Sequence, residues 1–259
     1  MRGLRACLDL TGFLGKAAAG RPSLIALDFD GTLSPLVAHP GSARLSRRTR
    51  SLLRCIATGT RRSVAVVSGR SLADLRKRIR IPGLVYSGNH GLEIRGQGLD
   101  WTHPEAGRSK PLLHALARDL KACVARWPGL LLEDKGLSLS LHHRLAAAPA
   151  RRAGYRALCS ALAPYGRDLV LAEGKKVWEV RSRVDWDKGR AILRIARAKG
   201  AGRRILFVGD DRTDEEGFAS LAGRAVTVRV GPVSRTAALH RLEDQRQVAD
   251  LLELLCGEA

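Results

Sequence analysis

Leu24-Ile25-Ala26-Leu27-Asp28-Phe29-Asp30-Gly31-Thr32-Leu33 is a short aliphatic run that stops at two acids, a glycine and a threonine. Four apolar residues in a row, without alternation, fit a strand covered on both faces, as in a parallel sheet flanked by helices. Side chains two apart in an extended chain point the same way, so Asp28 and Asp30 emerge together beyond Leu27. Two carboxylates so placed repel each other unless a proton or a cation lies between them. A turn would account for Asp30-Gly31, since both residue types favour turns. It leaves Asp28, still within the strand, without a purpose.

Two more apolar runs end in the same manner. Ser63–Val67 leads into Ser68-Gly69-Arg70, and Ile205–Val208 into Gly209-Asp210-Asp211-Arg212-Thr213-Asp214. In open α/β sheets ligands bind beyond the carboxyl ends of the strands, so these polar groups are expected at one edge. Lys188 opens a helix with apolar residues Ile192, Leu193, Ile195 and Ala196. Helical spacing also predicts helices over 45–58, 72–79 and 245–255, and a strand over 225–230. Leu84–Ser87 reads as a further strand. It runs into Gly88-Asn89-His90-Gly91, which fits a structural turn as well as a site loop. The expected fold is α/β, a Rossmann-like parallel sheet with helices on both faces.

Between residues 97 and 183 the pattern changes. Helices over 110–126 and 149–163 are each followed by a hairpin, and LLLEDKGLSLSLHHR lies over LVLAEGKKVWEVRSR with Glu133 above Glu173 and Lys135 above Lys175. A helix–strand–strand unit used twice predicts a four-stranded antiparallel sheet with two helices on one face. Residues 97–183 are therefore expected as an inserted α+β cap domain, with 1–96 and 184–259 as the core. In the last cap strand Trp178 and Val180 share one face, and Val177, Glu179 and Arg181 the other. The first pair suits the helix-covered side. Glu179 is left needing polar partners: sugar hydroxyls, or a salt bridge with Lys175 or Arg181.

The chain has 259 residues and a formal net charge of +20. The basic residues are scattered and aromatics make up 4%, so no basic stripe interleaved with stacking side chains points to nucleic acid. Five cysteines without a CxxC pair read as reduced thiols, hence a cytoplasmic protein without a disulfide framework or zinc site. Residues 1–23 read as an amphipathic helix and not a signal peptide, because Asp9, Gly12 and Lys16 interrupt the apolar stretch. No segment is apolar for long enough to span a membrane.

Phosphate-ester hydrolysis uses every polar group gathered here. Mg2+ prefers oxygen ligands, and Asp28 and Asp210 can supply them. A carboxylate can attack phosphorus, and its neighbour two residues on can protonate the leaving alcohol and then deprotonate the attacking water. A hydroxyl and an ammonium suit the phosphate oxygens as charge builds there.

The order DxD, S, K, GDxxxD, in Asp28-Phe29-Asp30, Ser68, Lys188 and Gly209-Asp210 with Asp214, resembles the haloacid dehalogenase superfamily. Over nearly the whole chain DFDGTLSP, VVSGR, GNHGLE, GKKVWEVR, DWDKGRA and VGDDRTDEEGF resemble the trehalose-6-phosphate phosphatases. The resemblance implies Asp28 as nucleophile, Asp30 as general acid/base, and Ser68 and Lys188 on the phosphate. It implies Mg2+ on Asp28, the Asp30 main-chain carbonyl and Asp210, with Asp211 and Asp214 tuning its shell. Arg70, Asn89, His90, Gly91, Arg144, Lys175 and Glu179 would contact the sugar or its phosphate. One departure is His143, where the resemblance leads to an aromatic before Arg144. The expected partner is trehalose 6-phosphate itself, with no nucleic acid or membrane, and a monomer or weak oligomer. Another sugar phosphate, a catalytically silent sugar-phosphate sensor and a nucleic-acid binder are the competing readings.

Overall fold

The structure, a computed structural model, describes residues 22–257 except 38, 60–61, 175, 202–204 and 233. The helix expected near the start of the chain, and Lys175, lie outside the described residues. The first elements are β1 (Leu24–Leu27), α1 (Arg47–Thr58), β2 (Ser63–Val67), α2 (Leu72–Ile79), β3 (Leu84–Gly88), β4 (Glu93–Gly96) and β5 (Leu99–Thr102). Then come α3 (Pro104–Ala125), β6 (Leu131–Asp134), β7 (Ser138–His142), α4 (Ala148–Leu162), β8 (Leu169–Gly174) and β9 (Val177–Ser182). The chain ends with α5 (Lys188–Ala198), β10 (Ile205–Gly209), α6 (Arg212–Ser220), β11 (Val226–Val230), β12 (His240–Leu242) and α7 (Gln245–Gly257). They form two compact units, Met1–Trp101 with Trp186–Ala259, and Thr102–Asp185.

The first unit is built on an eight-stranded sheet, ordered β12-β11-β10-β1-β2-β3-β4-β5. From β12 to β3 every pairing is parallel, with β1 between β10 and β2. Side chains of β1 alternate between two cores. Ile25 and Leu27 pack with Leu53, Ile56, Leu75 and Leu252 on one face. Leu24 and Ala26 pack with Ile192, Ile195 and Phe218 on the other. All four β1 side chains are fully buried, which is why its sequence does not alternate.

Past β3 the sheet departs from the expected parallel order, because β4 runs antiparallel to β3 and β5 follows it. Neither EIRG nor LDWT carries an apolar run, and both are held through main-chain pairing. The three-residue β12 was equally hidden. Helices α1, α2, α5 and α6 start at Ser46, Ser71, Asp187 and Asp211, whose side chains each accept a backbone N–H from the first turn.

The second unit has the expected antiparallel sheet, ordered β6-β7-β9-β8, with register Ser140↔Glu179 and Leu141↔Trp178. Trp178 and Val180 are buried with Leu113, Leu116, Leu120 and Leu158 of α3 and α4. His143 stacks on Trp178 with ring centroids 4.0 Å apart.

One expectation is overturned. Cys55 and Cys256 form a disulfide, while Cys123 and Cys159 are free thiols. The partners are 201 residues apart, on α1 and α7, so no spacing motif exposes them. The packing of those two helices brings them together, and the thiol-based argument for a cytoplasmic location loses its footing. No helix among the described residues is long and apolar enough to cross a membrane.

Closing so long a loop restricts the unfolded chain. Cys256→Ser should lower unfolding stability by about 2–4 kcal/mol under oxidising conditions. Under full reduction the variant and the parent should melt together. A deficit of the same size in reductant would assign the loss to packing.

Candidate active site

The carboxyl ends of β1, β2 and β10 lie side by side because their registers match: Leu27 pairs with Val66 and with Val208. The Asp28 N–H continues the ladder by donating to the Val208 carbonyl at 2.9 Å. Asp28 is therefore fixed by backbone before its side chain makes any contact, and it is 3% exposed. Ser68, at the end of β2, is 1% exposed, and its N–H donates to the Ser87 carbonyl.

Lys188 enters this edge from the first turn of α5. Its ammonium donates to Asp28 Oδ1 and to Asp214 Oδ1, each at 2.8 Å, and Asp211 Oδ1 lies 3.8 Å away. Lys188 is 2% exposed and Asp214 fully buried. Burial pulls the lysine towards its neutral form, but Asp211, Asp214 and Asp28 outweigh this and hold its pKa well above the ordinary value.

Asp214 also ties together the loop that carries Asp210. Its Oδ2 accepts the N–H groups of Asp210 and Asp211 at 2.9 and 3.0 Å, while Asp211 Oδ1 accepts the Asp214 N–H. This reciprocal pair caps α6 and aims Asp210 at Asp28. Thr32 Oγ1 donates to Asp210 Oδ1 at 3.3 Å. Gly31 passes so close that a Cβ there would lie 2.0 Å from Asp210 Oδ2, and its φ of +86° suits glycine.

Asp28, Asp210 and Asp214 each present an oxygen, all within 4.8 Å of one another. Three carboxylates here face one ammonium. Burial, then Asp211, pushes Asp210 up to about 6. Burial also raises Asp214, with Asp211 adding and Lys188 opposing, to about 7. Burial raises Asp28 as well, beyond what Lys188 offsets. All-oxygen donors with surplus negative charge fit a hard divalent cation such as Mg2+.

The remaining residues singled out from the sequence separate into groups. Asp30, next to this cluster, has both oxygens on Arg70, at 2.6 Å from Nε and 2.7 Å from Nη2. Asn89 is fully buried and donates its amide to Glu93 at 2.7 Å. Asn89, His90 and Gly91 all have positive φ; a Cβ on Gly91 would lie 2.5 Å from that of Ala191. In the second unit Glu179 accepts from Lys135 at 2.8 Å and from Ser138 and Ser140 at 3.1 and 3.3 Å. Arg144 is exposed on the turn after β7. Sequence reasoning missed Thr32, Glu93 and Lys135; only Lys135, matched to Lys175 in the internal repeat, carried a usable signal.

The sequence profile described as Trehalose-phosphatase matches residues 26–245. A trehalose-phosphate phosphatase of Mycobacterium bovis is 32% identical over 262 residues, covering 97% of this chain. The chain spans 65% of that relative's length. Among solved structures, the C-terminal domain of the Candida albicans trehalose-6-phosphate phosphatase superposes with a TM-score of 0.80 at 24% identity, covering 97% of this chain and 96% of that one. A haloacid dehalogenase-like hydrolase from Bacteroides thetaiotaomicron gives 0.64 at 17%, covering 91% and 100%. At these identities both structures speak for the fold.

The raised carboxyl pKa values set a pH dependence. Without metal the folded state keeps protons that the unfolded chain releases near 3.8, so stability falls as pH rises from there towards 7. A divalent cation relieves this cost and competes with the same protons. The rise in melting temperature on adding Mg2+ to chelated protein should therefore be small at about pH 5 and larger at about pH 8. An equal rise at both would contradict the acidic site.

Proposed function

The chain belongs to the trehalose-phosphatase family, and from that membership we propose that it is a Mg2+-dependent phosphatase hydrolysing trehalose 6-phosphate to trehalose and inorganic phosphate. The observation that carries the reading is Asp28: a carboxylate fixed by backbone at the end of a buried strand, with one oxygen on the Lys188 ammonium. Its other oxygen is the attacking atom. It forms the bond to phosphorus as the bond from phosphorus to the sugar oxygen breaks, leaving an aspartyl phosphate. Asp30 gives the departing oxygen its proton, then takes one from the water that attacks phosphorus and frees Asp28. The Ser68 hydroxyl and Lys188 hold the phosphate oxygens. Asp28, Asp210 and the Asp30 main-chain carbonyl would hold the Mg2+, which supplies charge compensation on the phosphate, while Asp214 and Asp211 fix Asp210.

Residues 1–96 with 184–259 are the catalytic core in this reading, and 97–183 the domain that recognises the sugar. Glu179 is its centre in this reading, because a mostly buried carboxylate held in place by Lys135, Ser138 and Ser140 is the kind of fixed acceptor that sugar hydroxyls bond. Arg144 and Lys175 would add contacts from the same domain. Neither nucleic acid nor a membrane enters this chemistry, and a monomer or weak oligomer suffices.

Phosphate release across a panel of sugar phosphates should be greatest from trehalose 6-phosphate and should stop with EDTA. Glu179→Ala should lower it at least about tenfold while hydrolysis of a small aryl phosphate hardly changes. Preference for another sugar phosphate would keep the chemistry and replace the substrate. Equal losses on both substrates would remove Glu179 from recognition.

A further inference from the structure

The sequence reading put Arg70 on the sugar or its phosphate; its contacts point elsewhere. Arg70, Asp74 and Arg78 recur every four residues from just before α2 to its last turn, and their charged ends form one row. Arg70 Nε and Nη2 donate to the two oxygens of Asp30, and Nη1 donates to Asp74 Oδ2 at 2.7 Å. Arg78 Nε donates to the same Asp74 oxygen at 2.7 Å, and its Nη1 to the carbonyls of Gly41 and Ala43 at 3.0 and 2.9 Å. The guanidinium of Arg70 also lies 5.3 Å from the centroid of the fully buried Phe29 ring. The side chain of Arg70 is 12% exposed, that of Asp30 35%.

We propose that Arg70 is a positioning residue for Asp30, held in that task by Asp74 and Arg78. An aspartate has two side-chain torsions, and two parallel N–H···O bonds to a planar fork fix both. Asp74 on the far side of the fork keeps Arg70 from swinging towards solvent, and Arg78 fastens Asp74 to the loop after the catalytic strand. The row thus runs from that loop to the Asp30 carboxylate, the group that would meet a leaving oxygen or a water in the proposed reaction. A phosphate drawn to Arg70 would have to displace a carboxylate that already has ideal bidentate geometry. The inference rests on Asp30 being the acid/base of the proposed reaction, and it assigns Arg70 to no substrate contact.

The test compares wild type, R70A, R70K, D74N, D30N and R70A/D30N on trehalose 6-phosphate. R70A should lower kcat by about 10–100-fold, as expected when a reacting group loses its placement, with KM little changed. R70K should recover only part of the loss, since an ammonium cannot supply the fork. Adding R70A to D30N should lower kcat no further, because the two substitutions remove one function. A KM raised tenfold at unchanged kcat, or losses that multiply in the double variant, would overturn the proposal in favour of substrate binding. A second readout does not depend on turnover. In protein carrying 13C at the aspartate carboxyls, the Asp30 resonance, assigned with D30N, should move in R70A and D74N. An unmoved resonance overturns the positioning role even if no phosphate ester is hydrolysed, whereas inactivity of wild type with a moved resonance defeats only the proposed reaction. If R70A does not fold, R70K and D74N carry both comparisons.

Discussion

Lys188, with its ammonium shared between Asp28 and Asp214 away from water, is the contact around which the first unit's sheet edge is assembled. Taking such ions out of water costs several kcal/mol each, and their mutual attraction repays it only when every partner is in place. Three elements meet there: the end of β1, the first turn of α5 and the first turn of α6. The surrounding details follow from holding them together. The Asp28 N–H extends the β-ladder, Asp214 caps α6, and Gly31 leaves room for Asp210. One ammonium does not neutralise the carboxylates gathered around it, and the remaining negative charge is what suits the place to a divalent cation.

The sheet edge was legible in the sequence because its signal is coarse and repeated. Aliphatic runs that end abruptly in Asp28, Ser68 and Asp210 mark buried parallel strands and the side on which they deliver their side chains. The internal repeat exposed the antiparallel sheet of the second unit for a similar reason: Leu137, Leu139 and Leu141 alternate with polar residues, and Trp178 and Val180 with Glu179. Short elements with only one or two core side chains stayed hidden, such as Ile94 in β4 and Leu242 in β12. β4, β5 and β12 are too short and too polar for a periodic pattern, yet they complete the sheet.

Pairings between distant side chains were the other gap. Nothing in the spacing of Cys55 and Cys256 announces that α1 and α7 pack together. The sequence offers Glu179 sugar hydroxyls, or a salt bridge with Lys175 or Arg181; the register of β7 on β9 adds Ser138 and Ser140, and the hairpin turn adds Lys135. Arg70 follows a serine and a glycine at a strand end, a setting that suits substrate binding as well as any other task. Only the arrangement in space puts its fork on Asp30. In each case the residue type was noticed and the partner was not, because partners are set by how elements pack.

The central claim is that the chemistry passes through Asp28, and a covalent trap addresses it directly. Wild-type protein quenched during turnover of trehalose 6-phosphate and treated with borohydride would have any aspartyl phosphate reduced to homoserine. Peptide mass spectrometry should then find that conversion at position 28, and it should vanish in Asp28→Asn. Conversion at another acid, or none while the enzyme is turning over, would contradict the account.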